Sequence, residues 1–470
     1  MRTSSPLQQA PEQSARRVDA DLVVLGVEVV LVAAAVGVGM VLNARGVGLH
    51  ADAAPIYATW RPHVGWGTPA ALLVAAGVVG WGARWARTAR WGRLLVAGYL
   101  AAVAWTMSLA LVDGWSAGFT QRLTPQAEYL HEVPAITDIP ATVAGFSARI
   151  LDFQPDSWST HTAGHPPGAL LAFVVLDRVG LGGPTAAALA CVLVGATVTV
   201  SVPVALRALG AAQSARTVLP FLVLLPGSVW VGVSADGIFA GVVAAGLALL
   251  AVRGRVAAVA GGLLLGVALY LSYGFVLVGI AALAVLVLRS RDRWPALLAG
   301  LAGAGAVVLA FTLAGFWWLD GYHLVVERYY QGWGADRPYG YWVWANLAAL
   351  VVCAGPVLGP ALRRTARAAV RPARSAAAAW RGSSRHRVIG LLDALRAAGP
   401  TVLLPLAAAL MVSAANLSGL SKAEVERIWL PFVVWLLVAT AHLPPRAHRW
   451  WLAGQALTAL AVNHLLWTVS

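Results

Sequence analysis

The chain has 470 residues, of which 59% are hydrophobic and 11% are charged, and its mean hydropathy is +0.73. A soluble domain carries about 25% charged residues, so this composition excludes an ordinary water-soluble globular protein. Apolar runs of about 16 to 23 residues have the length of helices that cross the hydrocarbon core of a bilayer, and strand-like alternation is absent. The two cysteines, Cys191 and Cys353, lie in apolar runs, which predicts core thiols and no disulfide framework.

The predicted elements begin with a polar segment, residues 1–20, which we interpret as a disordered cytoplasmic tail without a signal peptide. The rest of the chain, residues 21–470, predicts one all-α domain, a polytopic transmembrane helical bundle with about 13 spans. In chain order the predicted spans are 22–42, 68–83, 94–112, 184–206, 217–232, 237–252, 256–272, 275–288, 295–317, 343–361, 399–417, 428–443 and 450–468.

Basic residues predict the orientation of these spans. With the N-terminus in the cytoplasm, 25 of the 34 Lys and Arg residues fall in cytoplasmic segments, whereas 14 of the 20 Asp and Glu residues fall outside. This distribution follows the positive-inside rule and predicts a multi-pass protein of the plasma membrane. The net charge of +14 is thus explained by topology, and nucleic acid is not an expected partner. The basic loop 363–398 predicts a cytoplasmic amphipathic or disordered tether on anionic lipid.

Residues 166–180 are apolar but short, and they include Asp177 and Arg178. Counting them as a span would move every later loop to the other side of the membrane and put the basic loop outside. We therefore interpret them as a re-entrant or partly inserted helix of the outer leaflet.

Three outer segments, 113–165, 318–342 and 418–427, are longer than a connection between helices requires. They concentrate charged and aromatic residues, and charged groups at membrane depth are costly and tend to be functional. Together with an acid at a further outer turn, the candidate site residues are Asp113, Glu128, Tyr129, Glu132, His161, His165, Asp236, Asp336, Arg337, Tyr339, Lys422, Glu426 and Arg427.

Structural interpretations of the same residues remain open. Lys422, the only lysine, and Glu426 are four residues apart and could form an ion pair on one helix face. Asp236 could cap the span that follows it, and Trp333 and Tyr339 could be interfacial anchors. No Walker A, GxGxxG, HExxH or CxxC motif is present, which argues against ATP-driven transport by this chain alone.

Several short motifs between Asp113 and about residue 252 carry a family resemblance. They are Asp113 directly after a span, the triplet His165-Pro166-Pro167 at the end of the long loop, and a later turn with Pro226, Ser234 and Asp236. In this order the segment resembles the membrane-embedded GT-C glycosyltransferases, especially those of the protein O-mannosyltransferase and lipid-A aminoarabinose transferase type. The resemblance covers under a third of the chain, and Asp113-Gly114 stands where the family has paired Asp and Glu.

The resemblance implies a GT-C-like fold whose long first outer loop is catalytic. It also implies sugar transfer from a polyprenyl-phosphate carrier to a hydroxyl of a glycan, lipid or protein outside the cytoplasm. Asp113 is then the first choice for the general base and Glu128 the second, with inversion at the anomeric carbon. The proposed donor-phosphate ligands are His161, His165, Arg337, Lys422 and Arg427. The remaining candidates, Tyr129, Glu132, Asp236, Asp336, Tyr339 and Glu426, would line the substrate pocket.

The cofactor is left open, because the spacing of His161 and His165 also permits a divalent cation, although Pro166 disfavours a helix there. Two other functions remain as alternatives. One is a secondary transporter, and the other is a scramblase or non-catalytic lipid-binding subunit of cell-envelope synthesis. The Ala-, Gly- and Arg-rich composition is consistent with a GC-rich genome and an actinobacterial envelope.

Overall fold

The computed structural model of the chain describes residues 9–289, 292–379 and 384–468, which are mostly helical. The α-helices are Gln9–Ala44, Thr68–Gly77, Ala83–Thr88, Trp91–Ala110, Ile139–Gly145, Thr160–Ala163, Pro167–Leu176, Pro184–Ala196, Val198–Ala208, Ala212–Val223, Ser228–Val231, Ala235–Ala251, Arg255–Leu271, Val278–Leu288, Arg293–Leu313, Trp318–Gln331, Tyr339–Ala354, Leu358–Ala379, Ser384–Ala398, Pro400–Leu417, Val425–Ile428, Leu430–Leu436 and His448–Leu465. In the described chain the only sheet is a two-stranded ribbon, in which Ala58–Trp60 pairs antiparallel with Leu466–Thr468.

Six helical stretches among the described residues are long and apolar enough to cross a membrane. They are Ala20–Ala44, Thr68–Thr88, Trp91–Ala110, Pro184–Ala208, Arg293–Leu313 and Pro400–Leu417. Two bent pairs raise the number to eight if each is one span: Tyr339–Ala354 with Leu358–Val370, and Leu430–His442 with Pro445–Leu465. A helical, multi-span architecture is therefore confirmed, whereas the predicted count of 13 spans is not.

Breaks inside apolar runs explain part of this difference. The predicted span 217–232 consists of Ala212–Val223 and the single turn Ser228–Val231, separated by Pro226 and Gly227. The predicted span 343–361 bends by 97° where Gly355 has a φ of +88°. Glycine adopts this conformation readily because it has no Cβ. Hydropathy does not reveal such breaks, so each of these continuous apolar runs predicts one straight helix.

The bundle has two distinct ends. At the end that we call the loop face, the segments 45–67, 113–165, 314–338 and 418–429 meet through ion pairs and hydrogen bonds. At the opposite end, which we call the arginine face, side chains bind carbonyls at helix C-termini. Arg216 donates to the carbonyls of Ala86 and Ala89, and Arg289 donates to those of Leu250 and Val252. Cations at helix C-termini complement the helix dipole.

The basic segment 363–398 is helical wherever it is described, in Leu358–Ala379 and Ser384–Ala398. Arg363 and Arg364 both bind the carboxylate of Asp21 in the helix Gln9–Ala44. That helix begins within the predicted tail 1–20, of which residues 1–8 lie outside the described chain.

Residues 166–180 stay at the loop face. The helix Pro167–Leu176 has 10 residues and continues into a five-residue π-helical turn, Asp177–Leu181. At about 1.5 Å per residue the whole stretch is shorter than the roughly 30 Å of a hydrocarbon core. At the start of the α-helix, His165 contacts Tyr129 of the long loop, and in the turn after it Arg178 donates to the carbonyl of Ile136 in the same loop. This geometry agrees with the predicted helix that does not cross the membrane.

Most residues of the helix Ala235–Ala251 are buried, and this helix carries Asp236 in its first turn. It packs against the neighbouring span through glycine, since a Cβ at Gly241 would lie 2.2 Å from the carbonyl oxygen of Val194. Small residues allow such close approach of helices in membranes. The helix thereby holds Asp236 at the buried centre of the loop face.

Candidate functional site

The charged side chains of the loop face converge on Arg427. Its Nη1 lies 3.0 Å from Oδ2 of Asp236, and its Nη2 lies 2.6 Å from Oε2 of Glu424. The same Nη2 lies 3.3 Å from Nε2 of His161, whose Nδ1 lies 2.8 Å from Oε1 of Glu128. We call these five residues the Arg427 cluster. They come from four separate segments of the chain, which the cluster joins.

The backbone conformation around residue 425 orients Arg427 and Glu424 toward the other members of the cluster. Arg427 lies in the single turn Val425–Ile428, and the two residues before that turn, Ala423 and Glu424, have φ values of +70° and +61°. Residues other than glycine rarely adopt this conformation, and such strain persists only where the surroundings hold it. Here the carboxylate of Glu424 is held by two guanidinium groups, those of Arg427 and Arg337.

The partners of His161 assign its tautomer. Arg427 can only donate, so Nε2 of His161 accepts from it, and Nδ1–H donates to Glu128. The ring is therefore neutral and is oriented by a carboxylate on one side and a guanidinium on the other. No described residue donates a hydrogen bond to the second oxygen of Glu128, Oε2, so this oxygen is free to accept a proton.

Opposite charges dominate the electrostatics of the cluster. Burial raises the pKa of Glu424, but the guanidinium groups of Arg427 and Arg337 outweigh burial and lower its pKa to about 2. Burial lowers the pKa of Arg427, whereas the carboxylates of Glu424, Asp236 and Glu128 raise it above its usual range. Both groups are thus held in their charged forms.

Glu426 differs from its neighbours because no cation is bound to it. Its Oε1 accepts a hydrogen bond of 2.8 Å from the backbone N–H of Tyr57, and its Oε2 is buried without a partner in the described chain. Burial raises the pKa of Glu426 to about 7. The carboxyl group is therefore largely protonated in mildly acidic solution.

Lys422 and Glu426 do not form the ion pair that their spacing allows. Nζ of Lys422 donates to the carbonyls of Gly334 and Arg337, at 2.5 and 3.0 Å. The helix begins only at Val425, so the two side chains do not share a helix face. These two hydrogen bonds of Lys422 instead connect the outer segment 418–427 to the outer segment 318–342.

The alternative interpretation, that Asp236 caps its helix, is wrong. Its carboxylate binds Arg427, and the residue at the N-cap position is Ser234, whose side chain makes no capping bond. Asp236 lies in the first turn of its helix, where the helix dipole favours an acidic side chain.

His165 is neutral in this environment. Its Nδ1 lies 2.9 Å from the hydroxyl of Tyr129 and 2.8 Å from the carbonyl oxygen of His161. Burial lowers the pKa of His165 to about 4 and raises the pKa of Tyr129 above its usual range. A neutral imidazole offers a hydrogen bond to a phosphate but no positive charge.

Asp113 belongs to a second group of charges. One carboxylate oxygen lies 2.5 Å from Nε2 of His63 and the other lies 2.6 Å from Nη2 of Arg122. Nδ1 of His63 faces the carbonyl oxygen of Arg61 at 2.7 Å. We call His63, Asp113 and Arg122 the Asp113 cluster. Both oxygens of its carboxylate are occupied by basic partners.

The two-stranded ribbon links the clusters. Arg122 donates to the carbonyl of Thr468 in one strand. Tyr57, directly before the other strand, donates from its backbone to Glu426, the neighbour of Arg427. Thr468 pairs with Ala58, the residue after Tyr57. The ribbon therefore connects Arg122 of the Asp113 cluster to Glu426, the residue next to Arg427.

Five predicted pocket residues lie outside both clusters: Tyr129 and Glu426, described above, and Glu132, Asp336 and Tyr339. Glu132 accepts from the backbone N–H of Ser159 at 2.8 Å and braces the long loop. Asp336 binds His50, and the hydroxyl of Tyr339 donates to the carbonyl of Leu417. Within the described ranges, no group of three or more His, Cys, Asp or Glu side chains is arranged to hold a metal ion.

The prediction from sequence missed His63, Arg122 and Glu424 as site residues. Glu424 lies three residues before Arg427 and could have been found as a partner on the same turn. Arg122 is a basic residue in an outer loop rich in acids, which is a usable signal. His63 carries no local signal, because its partner is 50 residues away.

Comparisons with known proteins supply no family for the chain. No model of a protein family matches it, and no curated protein matches it.

The pH dependence of stability tests the environment of Glu426. The pKa of Glu426 is about 7 in the folded chain, against a usual 4.5. The protonated carboxyl group therefore contributes its full stabilisation below pH 4.5, and this contribution is lost as the pH rises through 7. A pKa difference of this size corresponds to about 3 kcal/mol. We expect Glu426→Gln to remove that loss from the unfolding free energy, measured by thermal unfolding in detergent across this pH range.

Asp393→Asn is the matched control, because Asp393 is an exposed carboxylate in a surface ion pair and such pairs contribute at most about 1 kcal/mol. Its pH profile should equal that of the wild type. An unchanged profile for Glu426→Gln would show that Glu426 is not the group responsible.

Proposed function

We propose that this chain is a membrane glycosyltransferase that moves a sugar from a polyprenyl-phosphate donor to an acceptor hydroxyl. The observation that carries this proposal is the Arg427 cluster, in which a buried carboxylate, Glu128, is oriented by His161 and keeps one oxygen free. Buried titratable groups arranged around a free base are typical of catalytic sites. The apolar helices of the bundle fit a donor that is itself a lipid.

Glu128 is the better general base of the two carboxylates on geometry. A base must have a free lone pair within reach of the proton that it takes. Glu128 has one in Oε2, whereas His63 and Arg122 occupy both oxygens of Asp113. The proposal therefore ranks Glu128 above Asp113, and Asp113 becomes a positioning residue for two basic groups.

The donor phosphate fits the Asp113 cluster better than the Arg427 cluster. Arg61 and Arg122 both lie over the ring of Trp467, and together they set two guanidinium groups against the one carboxylate of Asp113. In the Arg427 cluster, Arg427 is already paired with Asp236 and Glu424. An incoming phosphate is attracted to the group with excess positive charge.

The reaction follows from these assignments. Oε2 of Glu128 takes the proton of the acceptor hydroxyl as its oxygen forms a bond to the anomeric carbon. The bond from that carbon to the phosphate oxygen breaks, and its electron pair leaves with polyprenyl phosphate. Configuration at the anomeric carbon inverts, and the phosphate needs no acid to protonate it. Arg427 keeps His161, and through it Glu128, in place.

Aromatic side chains beside the Asp113 cluster fit an entry route for the lipid. Trp60 and Trp66 flank His63 in sequence and are both exposed, and Arg61 lies over the ring of Trp467 at 4.3 Å. Tryptophan is enriched where a membrane protein meets the headgroup region. A donor with its phosphate at this cluster would keep its polyprenyl chain in the bilayer.

One observation favours the transporter alternative. Secondary transporters build their sites from broken helices, and this bundle has two pairs bent by 97° and 119°. The backbone groups at the first break are already satisfied, since the N–H of Gly359 donates to Oε1 of Glu28 and Gln455 donates to the carbonyl of Ala354. Two side-chain oxygens there, Oε2 of Glu28 and Oε1 of Gln455, are buried without a partner in the described chain. A transport site built on a broken helix uses free backbone groups for its ligand, so we rank this function second.

We further propose that the loop face lies outside the cytoplasm and the N-terminus inside, in the plasma membrane, because the arginine face follows the positive-inside rule. Single cysteines test this orientation. In intact cells an impermeant maleimide should label Gln154→Cys, on the exposed long loop, and should label Gly390→Cys only after permeabilisation. Cys191 and Cys353 are buried and give little background. Labelling of position 390 in intact cells would show that the orientation is opposite to the one proposed.

Substitution of the two carboxylates tests the assigned roles. With purified protein and a lipid-linked sugar, Glu128→Gln should bind donor normally and lose turnover by about 10²- to 10⁴-fold, because the proton acceptor is gone. Asp113→Asn should chiefly raise the KM for donor, because the substitution removes the carboxylate that orients His63 and Arg122.

The opposite pattern, with normal donor binding and lost turnover in Asp113→Asn and an active Glu128→Gln, would make Asp113 the base. If the wild type binds donor but transfers no sugar to any acceptor, the chain is a lipid-binding subunit or scramblase. Uptake of a solute by proteoliposomes without donor cleavage would instead favour the transporter.

A further inference from the structure

An exposed aromatic surface lies beside the Arg427 cluster on the loop face. The rings of His50 and Trp333 are stacked, with centroids 4.9 Å apart and planes 3° apart. Tyr57 lies against the same tryptophan at 6.3 Å, and Asp336 binds Nε2 of His50 at 3.0 Å. We call these four residues the Trp333 platform. Trp333 itself is 51% exposed.

Buried contacts hold the platform rigid. The guanidinium of Arg337 lies 5.8 Å from the ring of Tyr57 and 5.7 Å from that of Trp333, and it donates to the carbonyls of Leu49 and His50. His50 has a φ of +49°, a conformation retained only where other contacts enforce it. A Cβ at Gly48 would lie 3.0 Å from Cβ of Asp336, so glycine permits this packing.

The platform faces water rather than lipid. The side chain of Asp336 is 61% exposed next to the stacked rings, and Asp52 in the same loop is also exposed. A carboxylate in the hydrocarbon region carries a large free-energy cost. Insertion of Trp333 into the hydrocarbon region therefore does not explain this arrangement.

The chemistry of the platform selects its ligand. An exposed indole face packs against apolar C–H groups, and adjacent carboxylates accept hydrogen bonds from hydroxyls. A sugar ring offers both, with a C–H face and hydroxyls around its edge. Asp336 and Asp52 disfavour an anionic ligand by repulsion. The matching ligand is a neutral sugar residue.

One side chain, that of Arg337, lies between the Trp333 platform and the Arg427 cluster. Arg337, which supports the rings, binds Oε1 of Glu424 at 3.1 Å, and Oε2 of Glu424 binds Arg427. We propose that the Trp333 platform binds a neutral sugar residue of the acceptor, away from its reacting hydroxyl, so that the acceptor is an extended glycan rather than a protein or a simple lipid. This inference rests on the proposed function, because it assigns the acceptor class to that site.

Direct binding tests the inference without requiring turnover. The probes are linear neutral oligosaccharides of hexoses and of pentoses, and saturation-transfer NMR measures their binding to the full chain in nanodiscs without donor. The wild type should bind at least one oligosaccharide more tightly than its monosaccharide. Trp333→Ala should weaken that binding by about tenfold, the loss expected for one aromatic contact, and Asp336→Asn should weaken it through lost hydrogen bonds.

Trp317→Ala is the matched control. Trp317 is 49% exposed, and no described aromatic side chain stacks on it. This variant should bind like the wild type, and thermal unfolding should show that all three variants fold. Equal binding by Trp333→Ala and the wild type overturns the platform, as does a wild type that binds none of the probes. Binding that depends on Trp333 in a protein without transferase activity would retain the platform and refute the proposed function.

Discussion

A guanidinium buried among carboxylates at the loop face is the interaction on which the rest of the structure depends. Removing charges from water costs several kcal/mol per ion, and only close pairing with full hydrogen bonding offsets it. Arg427 is closely paired with Asp236 and Glu424 and hydrogen-bonds His161, while its Nε is buried without a partner in the described chain. Because its partners come from the long loop, the central helix and the strained turn before residue 425, one side chain sets the relative positions of all three.

The same constraint divides the chemistry of the loop face between two clusters. The Arg427 cluster has three carboxylates to one guanidinium, so this region can hold Glu128 and His161 in fixed orientations but has no positive charge left for an anionic ligand. Cations around Asp113 are in excess, so that region suits a phosphate, and the ribbon between the clusters keeps them adjacent. In the proposed reaction a lipid-linked sugar lies across this boundary, with its acceptor glycan approaching from the Trp333 platform.

Much of this arrangement could be predicted from sequence, and the limits have physical causes. Apolar run length locates helices, so most predicted spans correspond to helices, and charge density identified the loops that carry the site. Hydropathy does not reveal breaks such as those at Gly355 and Pro226, and the predicted count of 13 spans is not confirmed. Local spacing also failed for Lys422 and Glu426, since φ values of +70° and +61° at Ala423 and Glu424 prevent a helix there. Contacts such as His63 with Asp113 depend on tertiary structure and leave no local pattern.

The most direct measurement is the fate of the donor lipid. Purified protein in nanodiscs would be incubated with polyprenyl-phosphate-linked sugars and a glycan extract of the cell envelope, and the lipids would be analysed by mass spectrometry. One free polyprenyl phosphate should be released for each sugar added to glycan, with the anomeric configuration inverted. Donor lipid that stays intact with every sugar and glycan offered, or that crosses the membrane without cleavage, would contradict the proposed transfer.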